Sequence, residues 1–458
     1  MLKKISFSLL TLFIYNISLA NTPKIPQQLQ QNVSTVVIDD NTGNVVYSHK
    51  ADTPRLVASN MKLVTAAVAL NQLHPDFRWL TRLVYTGNIH EQTLDGNLYI
   101  VGGGDPTFDS NALHEILSHL HGIKKINGNI IIDDTIFNSL TKYSMLKVEN
   151  YDVDTVLPHG FIVDGDSVNF TIHVDGKKVT IDNNLYGYII NNNLKVDKSL
   201  TTCPDLSHQI SLQDNTVTFS GTVATSCNNI TLQFNMLTHA DYTKMEITRT
   251  LHDLSIKLNG NIEFNPAPTQ AFLLYDYKSQ SLEDTLIYMN HFSINLIADA
   301  TLLSLGAYTT SNSNTYAQGL ACYSGYMKEN NLLNTKFKPE NGSGLSRVEY
   351  MTANNMAHLL YIMSHSALSD NFEVTLPQAG ESGTLQNVFT QFGKRVHFKT
   401  GTLSDTRAYS GYYYTPGNHK YIVVVVANHI DTNNPKSRVV LNNWVAKLLT
   451  YLDKRNPE

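Results

Sequence analysis

Three short groups of polar residues, far apart in the chain, could together supply a nucleophile and its proton acceptor. They are Ser59-Asn60-Met61-Lys62, Ser293-Ile294-Asn295 and Lys399-Thr400-Gly401. A lysine can take a proton from a serine hydroxyl only where its surroundings disfavour the charged ammonium. The patterns S-x-x-K, S-x-N and K-T-G, in this order, are typical of serine enzymes that use such a lysine. The three groups therefore predict a serine enzyme whose base is lysine, not histidine.

The segment that follows Ser59 is predicted to hold its hydroxyl beside Lys62. Residues 60–73 are rich in Ala, Leu, Val and Met, and His74-Pro75 ends the run. Apolar residues surround the helix axis, which indicates a buried helix. Positions i and i+3 share a helix face, so Lys62 would lie one turn from Ser59, and the helix N-terminus could stabilise an oxyanion. The common alternative for such a serine is a helix cap.

Each short pattern also occurs by chance, so the sequence around it must show which occurrence is functional. S-x-x-K recurs at Ser139 and Ser144, where acidic residues follow instead of a buried helix. S-x-N recurs at Ser167, Ser226 and Ser369, but only Ser293 precedes an apolar helical run. Lys-Thr-Gly occurs once, at the end of a strand-like run. The joint occurrence favours catalysis over a set of unrelated turns.

The elements around these groups predict an α+β multidomain fold. Strand-like runs at 33–39, 44–48, 395–400, 406–414 and 420–428 could form one five-stranded antiparallel sheet, flanked by helices at 60–73, 281–305 and 437–453. Between them, residues 82–267 are mostly β in texture. We expect a signal peptide at 1–20, a discontinuous catalytic domain at 21–83 and 268–458, an inserted domain at 84–108 and 177–267, and a nested domain at 109–176.

Composition and the N-terminal segment limit the classes of protein to which the chain can belong. The chain has 458 residues, 42% hydrophobic and 16% charged, with a net charge of −5, so nucleic acid is an unexpected partner. Lys3 and Lys4 precede an apolar run that ends in Ser18-Leu19-Ala20, which predicts a secretory signal cleaved before Asn21. An uncleaved anchor is the lesser alternative because the run is short. We expect a protein without a stable membrane anchor, in the periplasm.

The cysteines and histidines predict no metal ligand. Export permits disulfides, so Cys203 and Cys227 could pair and leave Cys322 free, but three buried thiols fit the sequence nearly as well. No C-x-x-C occurs. His114 and His119 imitate a zinc-protease signature, but they are five positions apart instead of four. No metal and no organic cofactor is expected.

Beyond the three groups, further motifs make the chain resemble a known family. They are Gly104-Asp105-Pro106-Thr107, Gly342-Ser343-Gly344-Leu345-Ser346-Arg347, Leu376-Pro377 with Ala379-Gly380, and Gly383-Thr384-Leu385. With these, nearly the whole mature chain resembles the type-4, or class C low-molecular-mass, penicillin-binding proteins. That family consists of serine-type D-alanyl-D-alanine carboxypeptidases and endopeptidases, which carry two inserted domains between the first two motifs.

The resemblance implies a role for each residue. Ser59 would attack the carbonyl between the last two D-alanines, with Lys62 as base and Ser293 passing a proton to the leaving amine. Asn295 would hold Lys62 and the substrate amide. The backbone N–H groups of Ser59 and Thr402 would form the oxyanion hole. The strand Lys399-Thr400-Gly401-Thr402 would also bind substrate by attracting its terminal carboxylate. Arg347, Asp152 and Asp154 could bind the zwitterionic end of a substrate side chain; the alternative for each is a surface salt bridge.

The expected substrates are peptidoglycan stem peptides and cross-links, with β-lactam antibiotics as covalent inhibitors. The sequence leaves the balance between carboxypeptidase and endopeptidase activity open. Two other functions remain in consideration. A β-lactamase-like hydrolase would need a fast deacylation step, for which Glu329 lies in only a vaguely similar loop. A catalytically silent peptidoglycan-binding protein would not need the reacting residues, all of which are present.

Overall fold

A computed structural model describes residues 22–138, 152–309, 314–333 and 336–456. The expected signal peptide and the alternative motifs at Ser139 and Ser144 lie outside these ranges. No helix within them is long and apolar enough to cross a membrane.

Nine α-helices lie in the described ranges: α1 (Met61–Leu73), α2 (Ser110–Ser118), α3 (His239–Asp253), α4 (Leu282–Phe292), α5 (Asn295–Thr309), α6 (Thr315–Glu329), α7 (Ala353–Ser364), α8 (Ser369–Glu373) and α9 (Pro435–Arg455).

The strands of the same ranges are β1 (Val33–Asp39), β2 (Val45–His49), β3 (Pro54–Arg55), β4 (Leu80–Tyr85), β5 (Asn88–His90), β6 (Thr93–Asp95), β7 (Leu98–Val101), β8 (Lys125–Ile126), β9 (Ile130–Asp133), β10 (Val168–Asp175), β11 (Lys178–Asn183), β12 (Ile189–Val196), β13 (Ile210–Gln213), β14 (Thr216–Val223), β15 (Ile230–Phe234), β16 (Lys257–Leu258), β17 (Ile262–Phe264), β18 (Phe272–Lys278), β19 (Met351–Thr352), β20 (Val396–Leu403), β21 (Thr406–Tyr414) and β22 (Lys420–Asn428).

The first two and last three strands form the predicted antiparallel sheet, in the order β2-β1-β22-β21-β20. Side chains alternate between its faces. Along β22, Ile422 and Val424 join the core beneath α1, α4, α5 and α7, whereas Val423 and Val425 pack with α9 on the opposite face. The prediction of an α+β fold with helices on both faces of this sheet is confirmed. Strand β20 lies at the edge; its start is bridged by Gln378 and Ala379, and the rest of its outer backbone has no neighbouring strand in the described ranges.

Helix α1 lies inside the molecule, as its all-round apolar sequence predicts. Eleven of its 13 residues are buried, including Lys62. An amine so placed loses the hydration of its charge, which must shift its proton equilibrium. The fold therefore prepares Lys62 chemically before any substrate arrives.

Strand pairing in the insertion differs from the predicted domain boundaries. β4 crosses the boundary at 83/84, and it pairs with β18, which lies beyond the boundary at 267/268. The hairpin of β10 and β11 crosses the boundary at 176/177. β9, predicted within the nested domain, pairs with β7 and β17 of the surrounding sheet. A ladder of hydrogen bonds holds paired strands in one unit, so a division that follows the pairing begins the insertion near 80 and ends it near 278.

On the same basis, the strands that pair only with one another span residues 168–234, which would be the nested module. It contains two three-stranded sheets, β11-β10-β15 and β12-β14-β13. Its apolar side chains join those of the surrounding sheet, α2 and α3 in one core. Cys203 and Cys227 form a disulfide inside this module, which decides between the two alternatives that the sequence left open, and Cys322 is free.

Candidate active site

Ser59 lies in a single 3-10 turn, Ala58–Asn60, immediately before α1. The turn packs against β20 and β21, and Asn60 Nδ2 donates a hydrogen bond of 2.5 Å to Ser410 Oγ. Ala58 has a left-handed backbone, with φ of 48°. The sequence predicts that Ser59 opens the helix; the structure adds this separate turn, which directs the hydroxyl toward the next helical turn.

Lys62 connects the first two motifs with the loop that contains Ser343. Its Nζ lies 3.1 Å from Ser59 Oγ, 2.7 Å from Asn295 Oδ1 and 2.8 Å from the Ser343 carbonyl oxygen. Burial lowers the pKa of Lys62 to about 8, although the charges of Asp299, Asp154 and Glu349 oppose this shift. At pH 7 about one amine in ten is then neutral, against about one in 2,500 at the ordinary lysine pKa.

These contacts suit a neutral amine that acts as an acceptor. Asn295 Oδ1 and the Ser343 carbonyl can only accept, so they use the two N–H groups of a neutral amine. The nitrogen lone pair is then left for the Ser59 O–H. In that arrangement the hydroxyl donates to Lys62, which is the ground state of proton transfer from a serine nucleophile to its base.

Ser293 lies where the predicted helix over 281–305 is broken. It adopts a left-handed backbone, with φ of 62°, as the residue that ends α4, and α5 begins two positions later at Asn295. A left-handed residue at this position stops the helical hydrogen-bond ladder. The break lets Ser293 receive a 2.9 Å hydrogen bond from Lys399 Nζ while Asn295 faces Lys62.

Lys399 is buried on β20, and its Nζ also donates to the Thr400 carbonyl oxygen at 2.8 Å. Burial lowers its pKa well below the usual range, and the charges of Lys62 and Arg407 lower it further. The sequence predicts that burial and the nearby charge of Lys399 together keep Lys62 neutral. Burial is indeed the main cause of the lowered Lys62 pKa, whereas like charge lowers the pKa of Lys399 and not that of Lys62.

A glycine-containing loop packs on the turn that carries the nucleophile. It supplies the Ser343 carbonyl to Lys62, and Asp299 Oδ1 holds the Gly342 N–H at 2.9 Å. Gly344 has φ of +84°, and a Cβ there would lie 1.9 Å from the Ala58 carbonyl oxygen. Only glycine lets this loop approach the turn that carries Ser59 so closely.

Two buried acids near this loop were not predicted. Asp299 lies one helical turn after Asn295, a spacing that could have indicated it. Glu349 is fully buried, and its Oε2 accepts the Glu340 and Asn341 N–H groups, each at 3.3 Å. Burial raises the pKa of Glu349 to about 8. Both groups support the loop that accepts from Lys62.

The motifs meet around a cleft of about 390 Å³. Its lining includes most of the predicted site residues and several that were not predicted: Ser59, Asp154, Phe292, Ser293, Asn295, Gly344, Leu345, Thr384, Thr400, Thr402, Leu403 and Arg407. Gly401 lies against the Ser59 turn, where a Cβ would be 2.9 Å from the Val57 carbonyl oxygen.

Arg407 is the cation of this cleft that sequence reasoning missed. It faces Thr402 across the β20–β21 ladder and donates a short hydrogen bond to Thr402 Oγ1, and its Nε donates to the Tyr409 hydroxyl at 2.9 Å. The short connection between the strand-like runs at 395–400 and 406–414 was the signal that could have found it, because residues opposite each other in an antiparallel pair have neighbouring side chains.

The three expected specificity residues lie in different settings. Asp154 reaches the cleft, and its carbonyl oxygen accepts from Asn295 Nδ2 at 3.1 Å. Desolvation, and then the charge of Asp152, raise the Asp154 pKa. Asp152 is exposed and caps the short helical turn that contains Asp154. Arg347 is also exposed, and it pairs with Asp405 and donates to Ser404 Oγ, each at 2.6 Å.

Comparison with known proteins gives a consistent result. A profile of the D-Ala-D-Ala carboxypeptidase 3 (S13) family matches residues 16–448. The chain is 26% identical to a D-alanyl-D-alanine carboxypeptidase of Actinomadura sp. strain R39, over 92% of this chain and 82% of that protein. It also resembles the crystal structure of penicillin-binding protein 4 (dacB) from Haemophilus influenzae, with a TM-score of 0.77 and 24% identity, covering 93% of this chain and 98% of that one.

A more distant likeness shows the fold alone. The Bdellovibrio bacteriovorus protein Bd3459, a predatory peptidoglycan endopeptidase, superposes with a TM-score of 0.54 and 16% identity, over 91% of this chain and 92% of that one. The profile match covers nearly the whole chain, including all three motifs. The chain therefore belongs to the D-Ala-D-Ala carboxypeptidase (S13) family of serine peptidases, the class C low-molecular-mass penicillin-binding proteins.

Proposed function

We propose that this protein removes the terminal D-alanine from peptidoglycan stem peptides and cleaves the D-alanyl bond of their cross-links. Both reactions would pass through an ester on Ser59. The observation that carries the proposal is the 3.1 Å contact between Ser59 Oγ and the buried Lys62 Nζ, together with the lowered pKa of that amine. A serine beside an amine that is partly neutral at pH 7 is an activated nucleophile.

In the first half-reaction, Ser59 Oγ attacks the carbonyl carbon between the two terminal D-alanines, and its proton moves to Lys62. The developing oxyanion is stabilised by the backbone N–H groups of Ser59 and Thr402, the latter on the free edge of the sheet. Ser293 then delivers a proton to the departing amine, and the C–N bond breaks. Transfer of the proton from Lys62 to Ser293 then restores the Ser293 hydroxyl.

In the second half-reaction, water attacks the ester carbonyl, and Ser59 regains its proton. Glu329, the residue in the loop that vaguely resembles a β-lactamase loop, is exposed at the end of α6. We therefore expect slow hydrolysis of a β-lactam ester and inhibition by β-lactam antibiotics. Steady turnover of a chromogenic cephalosporin would instead favour the β-lactamase alternative.

The terminal carboxylate of the substrate is expected to bind along β20. Thr400 and Thr402 offer hydroxyl groups, and Lys399 regains its proton when an anion enters. Arg407 lines the same cleft and adds a positive charge beside Thr402. Recognition of a free carboxylate at this point favours peptides that end within the cleft, which suits carboxypeptidase trimming and cleavage near a cross-link terminus.

Asp154 is the acid best placed to bind a cationic group on the stem peptide, because it lines the cleft beside Asn295. We propose that Asp152 supports it through the cap of its helical turn. Arg347, held by Asp405, could reach a carboxylate of the same zwitterionic side chain only after leaving that ion pair.

We also propose that the protein works in the periplasm. The N-terminal Lys3-Lys4, the apolar run and Ser18-Leu19-Ala20 support export. The disulfide between Cys203 and Cys227 supports an oxidising compartment, because such bonds persist mainly outside the cytoplasm.

The test is digestion of purified pentapeptide and cross-linked muropeptides, followed by mass spectrometry. The wild-type protein should release one alanine per pentapeptide or separate cross-linked pairs. Ser59→Ala should yield neither product while circular dichroism stays unchanged. Undigested muropeptides with the folded wild-type protein, alongside retained binding to cell-wall sacculi, would favour the catalytically silent alternative.

A further inference from the structure

A second group of ionisable side chains lies outside the active cleft, between the strand β9 and the N-terminus of α3. Asp134 follows β9, His159 lies in the loop after Asp154, and His239 is the first residue of α3. One ligand-type atom from each lies within 4.8 Å of the other two. The mechanism above uses none of the three.

The two imidazole rings are stacked face to face beside the Asp134 carboxylate. Their ring centroids are 3.6 Å apart, and their planes differ by 8°. His159 Nδ1 lies 3.5 Å and His239 Nε2 lies 3.9 Å from Asp134 Oδ2. Both nitrogens are buried and have no hydrogen-bond partner within the described part of the chain. Buried polar atoms of this kind need an explanation, and an ion that binds them is one.

Asp166 fixes which nitrogen of His239 is available. Its carboxylate is 97% buried and accepts from His239 Nδ1 at 2.9 Å. The proton of a neutral His239 therefore stays on Nδ1, and the Nε2 lone pair points toward Asp134. A lone pair that faces an anion is unfavourable unless a cation lies between them. A carboxylate behind a histidine in this way is the usual support of a metal ligand.

The atoms suit zinc better than calcium or magnesium. Two imidazole nitrogens and one carboxylate oxygen form a common zinc set that leaves a fourth position for water, whereas the hard cations prefer oxygen ligands. Tetrahedral ligands with bonds of about 2.0–2.2 Å lie roughly 3.3 Å from one another. The separations of 3.5 and 3.9 Å to Asp134 Oδ2 are close to this spacing, and the stacked imidazole rings must tilt toward each other for both nitrogens to bind one ion.

The backbone already holds the ligands in register, and there is space for the fourth ligand. A Cβ on Gly160 would lie 2.2 Å from the Asp134 carbonyl oxygen, so the loop residue after His159 packs directly on the chain at Asp134. A cleft of about 560 Å³ opens beside the two histidines and Asp166. Water can therefore reach the metal position.

We propose that Asp134, His159 and His239 bind one divalent transition-metal ion, with Zn²⁺ as the ion that the ligand set favours, and that Asp166 positions His239 for it. The ion joins β9, α3 and the loop that continues from Asp154. Its expected role is structural, because His159 and His239 line a cleft that shares no lining residue with the Ser59 cleft.

The test uses untagged protein freed of metal with a chelator and then titrated with ZnCl₂ in a calorimeter. We expect one Zn²⁺ per chain, and X-ray absorption should show only nitrogen and oxygen ligands at about 2.0–2.2 Å. His159→Gln and His239→Gln should lose stoichiometric binding, and Asp166→Asn should weaken it about 10–100-fold.

His173→Gln is the matched control, because His173 also contacts a carboxylate, Asp182 Oδ2 at 2.9 Å, but is exposed and has only one acidic partner. It should bind Zn²⁺ as the wild type does. Penicillin labelling of each variant checks that it is folded. Absence of zinc binding by the wild type would overturn the proposal and mean that a proton occupies the space between the rings and Asp134. Equal binding by the wild type and by folded His159→Gln and His239→Gln would overturn it as well.

Discussion

At the scale of single residues, the proposed mechanism depends on the burial of one amine beside Ser59. Lys62 Nζ is placed by two acceptors that leave its lone pair toward the serine, and the fold lowers its pKa to about 8. The surrounding acids prevent a larger shift. A base with a pKa near the working pH combines an adequate neutral fraction with adequate basicity.

This account predicts the pH dependence of acylation. The neutral amine is the reactive form, so the second-order rate of acylation by benzylpenicillin should rise about tenfold per pH unit below the pKa and level off above about pH 8. Stopped-flow kinetics between pH 5.5 and 9 measures this, with circular dichroism at each pH as the control for folding. A flat profile between pH 6 and 8 would remove Lys62 from the role of base.

A substitution at Asp154 should affect substrate binding more than the acylation of Ser59. Asp154→Asn keeps the backbone carbonyl that accepts from Asn295 but removes the charge. We expect KM for a stem peptide with a free side-chain amine to rise about tenfold, because one charge-assisted hydrogen bond is weakened. Acylation by benzylpenicillin, which lacks that amine, should change less than threefold. Asp152→Asn, at an exposed position, is the control and should have the smaller effect on KM. Equal losses with both ligands would instead assign Asp154 a role in the chemistry.

At the scale of elements, close backbone contacts determine where the three motifs meet. The 3-10 turn of Ser59 lies between β20 and the loop that contains Gly344, and each approaches it through a glycine. The break between α4 and α5 at Ser293 completes the arrangement. Small backbone displacements at these contacts would move the nucleophile relative to its base, and such displacements are costly for catalysis.

Gly344→Ala tests this contact. The added Cβ would lie 1.9 Å from the Ala58 carbonyl oxygen, and φ is +84°. We expect at least a tenfold loss of acylation rate and a loss of about 1–3 kcal/mol in the free energy of unfolding. Gly325→Ala is the matched control: it lies in α6, and its Cβ would meet nothing within 4 Å. That variant should gain about 0.5–1 kcal/mol and keep full activity. Equal behaviour of the two variants would contradict the proposed role of the loop.

Much of this arrangement follows from sequence signals that are local. The strands at 33–39, 406–414 and 420–428 have the predicted bounds because alternation and turn residues define them within a few positions. The motif residues were recognised for the same reason, and the structure brings them together around one cleft. Sequence reasoning missed three features: the helix break at Ser293, the position of Arg407 beside Thr402, and the burial of Glu349. Each depends on contacts that the local pattern of residues does not reveal.

At the scale of the whole molecule, the insertion is attached to the catalytic domain by a pair of antiparallel strands, β4 and β18. Its boundaries could not be predicted from texture, because strands of similar composition pair across large separations, as β9 does with β7 and β17. The loop after Asp154 links this insertion to the cleft. The insertion can thus shape substrate binding without supplying any group that reacts.

The disulfide offers a test of how independent the nested module is. Cys203 and Cys227 are 24 positions apart, so the bond should stabilise the module by about 3 kcal/mol through the entropy of the unfolded chain. The double variant Cys203→Ser, Cys227→Ser should unfold at a lower temperature in calorimetry, together with the elements that share its core, and keep its acylation rate within about twofold. Cys322→Ser, which removes the free cysteine, is the control and should unfold as the wild type does. A parallel loss of acylation in the double variant would show that the module and the active site are coupled.

The most direct test of the central claim is to locate the covalent adduct formed with benzylpenicillin. Intact mass spectrometry followed by peptide mapping should find one penicilloyl group per chain, on the peptide that contains Ser59. Ser59→Ala should carry none, and Lys62→Ala should acquire it at a rate lower by orders of magnitude while remaining folded. An adduct on another residue, or a Lys62→Ala variant that acylates at the wild-type rate, would contradict the account.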